Sequence, residues 1–522
     1  MIIIKINILA MKTSFRIFAV FLLISGSFNT RAQVSPKANT LDTYFLEALS
    51  KWEVPGMAVA IIRNDTIELL KGYGVREIGN PGKVDENTLF AVASNTKSFT
   101  ATAISMLIDE GKLKLDDKVV DYLPWFRLYD PYVTLNMTIR DLLCHRSGLE
   151  TFSGDLIWYG SSYSRDEIIQ RASFLKPNYG FRANYGYSNI MYLTAGQIIA
   201  KVSGMSWDEF ISSRILTPLG MNHTNTSITK LDMKGNTAMP HNDVDDKVIA
   251  IQYLNWDNIG PAGSINSSAA DMIKWIEFQL KKGKLNDQVL VSEKSLREQW
   301  SPQTIQKVSA FSEKLWPSTH FKTYGLGWGM MDYHGKKVIS HSGGYDGMIS
   351  FSAFIPEANL GFVILTNKNS SLYYPLSYKI LDTYLSNDTI DWSSKFFDLI
   401  EKNKEAELTQ KKEDEQLRIS GTSPTLSLNK YVGSYISLIY GEAKVELVDD
   451  KLYLKFLPTP IFHSPLEHWQ YNTFTIKFPD VPALPEGKVS FILGPDSDVE
   501  KMLIDVPNPD FDFTELDFIR QK

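Results

Sequence analysis

The chain of 522 residues is 43% hydrophobic and 22% charged, a balance that excludes a disordered or fibrous protein and allows two or three domains. Its net charge of −6 leaves no basic field to hold a nucleic-acid backbone. A single cysteine, Cys144, excludes an intrachain disulfide, and no Cys/His cluster has metal-ligand spacing.

At the N-terminus, Lys12 and Arg16 precede the apolar run Ile17 to Ile24, and Thr30-Arg31-Ala32 follows. A basic segment, a short apolar segment and small residues predict a signal peptide over 1–32, cleaved after Ala32. The expected location is therefore periplasmic or extracellular in a bacterium; the alternative is an uncleaved membrane anchor, for which the apolar run is short. The apolar stretch before Met11 leaves Met1 and Met11 both open as the start.

Met57 to Ile62, the turn Asn64-Asp65 and Ile67 to Leu70 read as a β-hairpin. From about 94 to 290 the period is helical, broken by Gly and Pro. Strand patterns return at Val338 to Ser340, Ile349 to Ile355 and Gly361 to Thr366. Strands on both sides of a helical middle predict one α+β domain over 36–394 whose sheet joins distant parts of the chain. A charged stretch over 395–424 reads as a solvated helical linker. Beyond it, 425–522 shows short alternating strands, as in Lys451 to Phe456 and Val489 to Leu493, which predict a small all-β domain, sandwich or barrel.

Ser-x-x-Lys occurs four times, beginning at Ser94, Ser173, Ser227 and Ser427. Only Ser94 opens an apolar helical run, in which Phe99, Ala103, Met106 and Leu107 share a face. There a serine meets the positive end of the helix dipole, and Lys97 lies on the same face within reach of the hydroxyl. Taken alone, the pair also fits a capping serine beside a surface lysine. A serine hydroxyl needs an adjacent base, and lysine serves as one only if its pKa falls. Tyr187-Ser188-Asn189, before another helical run, offers a tyrosine to relay protons and an asparagine to hold Lys97 or a substrate carbonyl. His341-Ser342-Gly343-Gly344 follows a strand pattern, and its small residues admit a substrate backbone. The N–H groups of Gly344 and Ser94 would make an oxyanion hole. The plain alternative for this segment is a glycine-rich hairpin turn.

Ser94-x-x-Lys97, Tyr187-x-Asn189 and His341-x-Gly343, in that order, resemble the three motifs of the serine β-lactamase and penicillin-binding-protein superfamily. The nearest branch holds class C β-lactamases, D-Ala-D-Ala carboxypeptidases, D-aminopeptidases and esterases. Leu142 to Leu149 (LLCHRSGL), Pro218-Leu219-Gly220-Met221, Gly260-Pro261-Ala262-Gly263 and Tyr324 to Gly329 (YGLGWG) agree with it. The similarity covers about residues 40 to 385, and the C-terminal domain resembles the lipocalin-like module of some members.

The resemblance implies a β-lactamase/transpeptidase-like five-stranded antiparallel sheet flanked by helices, with an inserted all-helical lobe. It implies that Ser94 is acylated, that Lys97 and Tyr187 jointly move its proton, and that Asn189, His341, Ser342, Gly343 and Gly344 bind substrate and oxyanion. It implies no metal or other cofactor. The expected activity is acyl-enzyme hydrolysis of small-molecule or peptide substrates: peptides, amides or esters, of the D-amino-acid peptidase, carboxypeptidase or esterase type. β-Lactam hydrolysis and an idle penicillin- or peptidoglycan-binding protein are the alternatives. His341 stands where many members have lysine, and a histidine is only partly charged near pH 7, which weakens the penicillinase reading. Cys144 reads as a buried thiol, His145 as its bland neighbour, and His463 and His468 as packing residues. Trp158 and Tyr159 are expected to line the cleft. The C-terminal domain is expected either to join chains into a homo-oligomer or to cover the cleft as a lid.

Overall fold

A computed structural model describes residues 36–522 apart from Asp287 and Asn387; the expected signal peptide lies outside the described residues. No described helix is long and apolar enough to cross a membrane.

Eight antiparallel strands form the main sheet, in the spatial order Thr66–Gly74, Gly56–Arg63, Leu360–Thr366, Met348–Ile355, Lys336–Tyr345, Gly329–Tyr333, Lys322–Tyr324 and Thr304–Gln306. The hairpin turns at Asn64-Asp65, where both residues have positive φ, as two-residue hairpin turns require. Its first strand pairs with Leu360–Thr366, so the beginning and end of this domain lie side by side in the sheet. The five strands that the resemblance implies are extended by three short ones beyond Lys336–Tyr345. Two of those are three residues long, too short to show alternation in a sequence.

Both faces of the central strands are apolar because helices cover both. Met57, Val59 and Ile61 pack on the side of the helices Pro36–Lys51 and Tyr373–Leu385. Ala58, Ala60 and Ile62 face the helices Thr96–Asp109 and Ala269–Leu280. Small residues let this second layer approach: a Cβ at Gly361 would lie 2.3 Å from Ile276 Cγ2. Phe99 and Trp275 stack at 4.0 Å between the two helices.

The middle of the chain is mainly helical but not wholly so. Two-stranded ribbons join Phe90–Ala91 to Asn266–Ser267 and His241–Val244 to Lys247–Ala250. The charged stretch is a 25-residue helix, Trp392–Gln416, anchored by Trp392 and Phe396 and otherwise solvated. After it, eight sequential antiparallel strands from Gly433–Ser437 to Phe518–Arg520 close into a barrel, Tyr435 pairing with Arg520. Its interior is packed with aromatic rings, among them Tyr435, Phe456, Phe491 and Phe518.

Candidate active site

Ser94 sits in a 3₁₀ turn, Ala93–Asn95, directly before the helix Thr96–Asp109. Between Phe90 and Leu107 it is the one residue that is not buried. Ala93 before it has φ +43, a left-handed conformation that a side chain rarely adopts. The turn is held by neighbours: Val92 N–H donates to Ile265 O at 2.9 Å, and Ser350 Oγ donates to Val92 O at 2.7 Å.

One turn on, Lys97 is fully buried. Its Nζ donates to Ser94 Oγ at 3.0 Å, Asn189 Oδ1 at 2.7 Å and Ala262 O at 2.9 Å. Burial pushes its pKa well below the usual lysine value, against the opposing pull of Asp155. Gly260-Pro261-Ala262-Gly263 thus enters the site through a carbonyl. The YGLGWG loop lies behind it: Gly327 has φ +76, and a Cβ there would be 2.8 Å from Lys97 O.

Tyr187 precedes the helix Asn189–Ser203. Its ring centre is 4.7 Å from Lys97 Nζ, and the Ser94 hydroxyl partly offsets the effect of burial on its phenol. Burial raises its pKa well above the ordinary tyrosine value, so the phenol is neutral at pH 7. Both ends of the Asn189 amide are engaged: Oδ1 accepts from Lys97, and Nδ2 donates to Asp155 Oδ2 at 2.6 Å. Of its two expected roles, holding Lys97 is the one this geometry provides.

His145 is more than a neighbour of Cys144. It has φ +57, its Nδ1 accepts from Ser188 N–H at 3.0 Å, and its ring lies 4.3 Å from that of Tyr187. The LLCHRSGL segment therefore braces the Tyr187–Asn189 turn. Cys144 is buried and free, its thiol pushed up to about 11 by desolvation.

His341, Gly343 and Tyr345 face the Ser94 side of their strand, whereas Ser342 and Gly344 turn the other way. A Cβ on Gly343 would lie 2.2 Å from Val92 O and 2.9 Å from Ser94 N, so only glycine lets the strand lie against the Ser94 turn. Ser342 is exposed on the opposite face. His341 Nδ1 contacts Ser342 O at 2.6 Å. A carbonyl only accepts, so Nδ1 carries the proton and Nε2 accepts from Tyr324 Oη, 2.9 Å away. Desolvation, reinforced by the Lys97 charge, lowers the histidine to about 3. The expectation of a partly charged His341 near pH 7 is therefore corrected: a buried imidazole beside a buried amine stays neutral.

These residues border a cleft of about 740 Å³ walled by Trp158 and Trp256. Trp158 lines it as expected. Tyr159 does not, and packs instead against Phe462 and Phe511 of the barrel. The barrel reaches the cleft itself, through Asp510 and Phe511. Glu515 ties that loop to the lobe, accepting from Gly154 N–H at 2.8 Å and from Ser153 Oγ. Tyr163 Oη donates to Tyr440 O at 2.7 Å nearby.

Asp155 was invisible as a site residue in the sequence, where it is one acid in an otherwise apolar tetrapeptide. Away from the cleft, His334, Asp382 and Asp388 bring ligand-type atoms within 4.8 Å of one another. Asp382 there already accepts from Tyr333 Oη at 2.5 Å and Trp392 Nε1 at 2.6 Å, which marks it as structural. His463 likewise packs, between Tyr453 at 2.5 Å and Asp480 at 3.0 Å.

The family model described as Beta-lactamase matches residues 41–381, and one described as a domain of unknown function matches 417–520. The unguisins hydrolase ungD of Aspergillus violaceofuscus is 28% identical over 383 residues, covering 68% of this chain and 66% of that protein. Protein flp of Staphylococcus aureus is 30% identical over 354 residues, covering 66% of each. The chain thus spans just under two thirds of the length of these two relatives. Among solved structures, the octameric penicillin-binding protein homologue from Pyrococcus abyssi aligns with a TM-score of 0.58 at 21% identity, over 92% of this chain and 99% of that one. A class C β-lactamase aligns with a TM-score of 0.55 at 22% identity, over 68% and 98%. Both structures share this fold. On the match over 41–381, the chain belongs to the Beta-lactamase family of serine hydrolases.

Proposed function

We propose that the chain hydrolyses peptide, amide or ester substrates through an acyl-enzyme on Ser94. The observation that carries this reading is the 3.0 Å contact between a buried Lys97 Nζ and the partly exposed Ser94 Oγ. Burial favours the neutral amine of Lys97, so as Oγ attacks the carbonyl carbon the hydroxyl proton passes to the Nζ lone pair, and Lys97 and Tyr187 move it on together. The carbonyl oxygen takes up the negative charge beside the N–H groups of Ser94 and Gly344. Tyr187 returns a proton to the leaving group as its bond to carbon breaks. Water then repeats the sequence on the ester and frees Ser94.

The neutral His341 supports acyl donors that do not depend on a carboxylate contact, and so favours peptides, amides and esters over β-lactams. The convergence of Ser94, Lys97, Tyr187 and Asn189 weighs against an idle binding protein. Two relatives from Aspergillus species, both unguisins hydrolases, agree with that order. For the barrel, the Asp510 and Phe511 contacts support a cleft wall. The octameric state named for the pyrococcal neighbour supports the other expectation, association of copies.

A substrate panel tests the reading: p-nitrophenyl esters, D-amino-acid amides, a D-Ala-D-Ala peptide and a chromogenic cephalosporin, with wild type and Ser94→Ala. Turnover of an ester, amide or peptide that falls by about 10³-fold or more in Ser94→Ala is the expected result. Turnover that survives Ser94→Ala contradicts it, and a cephalosporin turned over best would favour the β-lactam reading.

A further inference from the structure

We propose that Asp155 is a positioning residue for Lys97, its carboxylate fixing through the Asn189 amide the nitrogen that touches Ser94. This inference rests on the reading of Ser94 and Lys97 as the acylating pair. The argument starts from the hydrogen-bonding capacity of each group. An ionised carboxylate only accepts, an amide has one accepting and one donating end, and the Lys97 nitrogen, charged or neutral, donates to the amide oxygen. Asp155, Asn189 and Lys97 therefore join in one direction only. The Asp155 carboxylate takes the Asn189 N–H₂ at 2.6 Å, which turns the amide oxygen to Lys97 at 2.7 Å. The two ends of that amide are nearly the same shape, so its orientation is set by its partners, the Lys97 donor at one end and the Asp155 carboxylate at the other.

The fold builds Asp155 for this place. Gly154 before it has φ +80, and a Cβ there would lie 2.5 Å from Leu175 Cδ1, so the turn packs inward where other residues would not fit. The second carboxylate oxygen accepts from Trp158 Nε1 at 2.8 Å. Asp155 is buried, and no cation contacts it directly. A buried carboxylate held by two neutral donors is costly, which is hard to understand as packing alone. Its charge polarises the amide toward Lys97.

Lys97, Tyr187 and Glu515 are the titratable groups that face Asp155 from the elements around it. Burial raises Asp155 to about 7. The ionised form is lost as pH falls through that value, so activity should fall on the acid side of about pH 7.

Three proteins test this: wild type, Asp155→Asn and Trp158→Phe, with kcat and KM measured from pH 5 to 9. In Asp155→Asn one N–H₂ must face another donor. The expected result is a kcat about 10²-fold lower with KM changed less than about threefold, and no acid limb near pH 7. Trp158→Phe removes one donor from the charged form, so the acid limb should move up by about 0.5–1 pH unit. A residue that merely supports the fold would lower activity and leave the acid limb where it is. A wild-type acid limb in Asp155→Asn, or an unmoved one in Trp158→Phe, overturns the proposal. If Asp155→Asn does not fold, Trp158→Phe decides. Fluorophosphonate labelling at pH 8.5 separates the two readings: label retained in Ser94→Ala sinks the nucleophile itself. Label lost in that variant with unmoved acid limbs sinks only Asp155.

Discussion

Gly343 carries a tight steric demand at the site, and Gly344 beside it carries almost none. A methyl at 343 would meet two backbone atoms, Val92 O and Ser94 N, whereas one at 344 meets nothing nearer than Ile349 Cδ1 at 3.8 Å. Gly343→Ala must push the strand away from Ser94, and a displacement near 1 Å should cost about 10²-fold in kcat/KM. Gly344→Ala should stay within about threefold of wild type. Equal losses in the two variants would contradict this placement of the strand. At this scale the sequence was readable where a residue type is itself the chemistry: Lys97 reaches Ser94 as their helical spacing suggested, and Asn189 and Tyr187 stand beside Lys97. It was not readable where environment decides. The neutrality of His341 comes from burial and from Lys97, and the role of Asp155 comes from an amide distant in sequence. No local pattern encodes either.

At the scale of elements, long alternating strands were legible almost to the residue. Met348–Ile355 and Leu360–Thr366 match the expected 349–355 and 361–366. Short edge strands and ribbons were not, because two or three residues cannot display a period. The loop from Asp510 to Glu515 was hidden for another reason: it lies between the last two barrel strands in sequence but serves a cleft in the other domain. Phe511 packs 4.4 Å from Tyr159, ring centre to ring centre, and narrows that cleft. Phe511→Ala should raise kcat/KM for bulky relative to small acyl esters by about 3- to 10-fold, as removing apolar volume from a specificity pocket does. An unchanged ratio would mean that the barrel does not select substrates.

Over the whole molecule, the sheet pairs strands from the beginning and the end of the first domain, and Ser94 meets His341 from a central strand of it. The helical middle supplies Tyr187 and Asn189, and the barrel closes one side of the cleft. The order of these parts was legible in the three motifs; their convergence, and the barrel's reach into the cleft, exist only in the folded chain. The central claim is that this convergence makes one serine nucleophilic. Intact mass spectrometry after incubation with a fluorophosphonate tests it most directly. One adduct per chain on the wild type, mapped to Ser94 and missing from Ser94→Ala, is the predicted result. An adduct of equal yield on Ser94→Ala, or none on the folded wild-type protein, would contradict it.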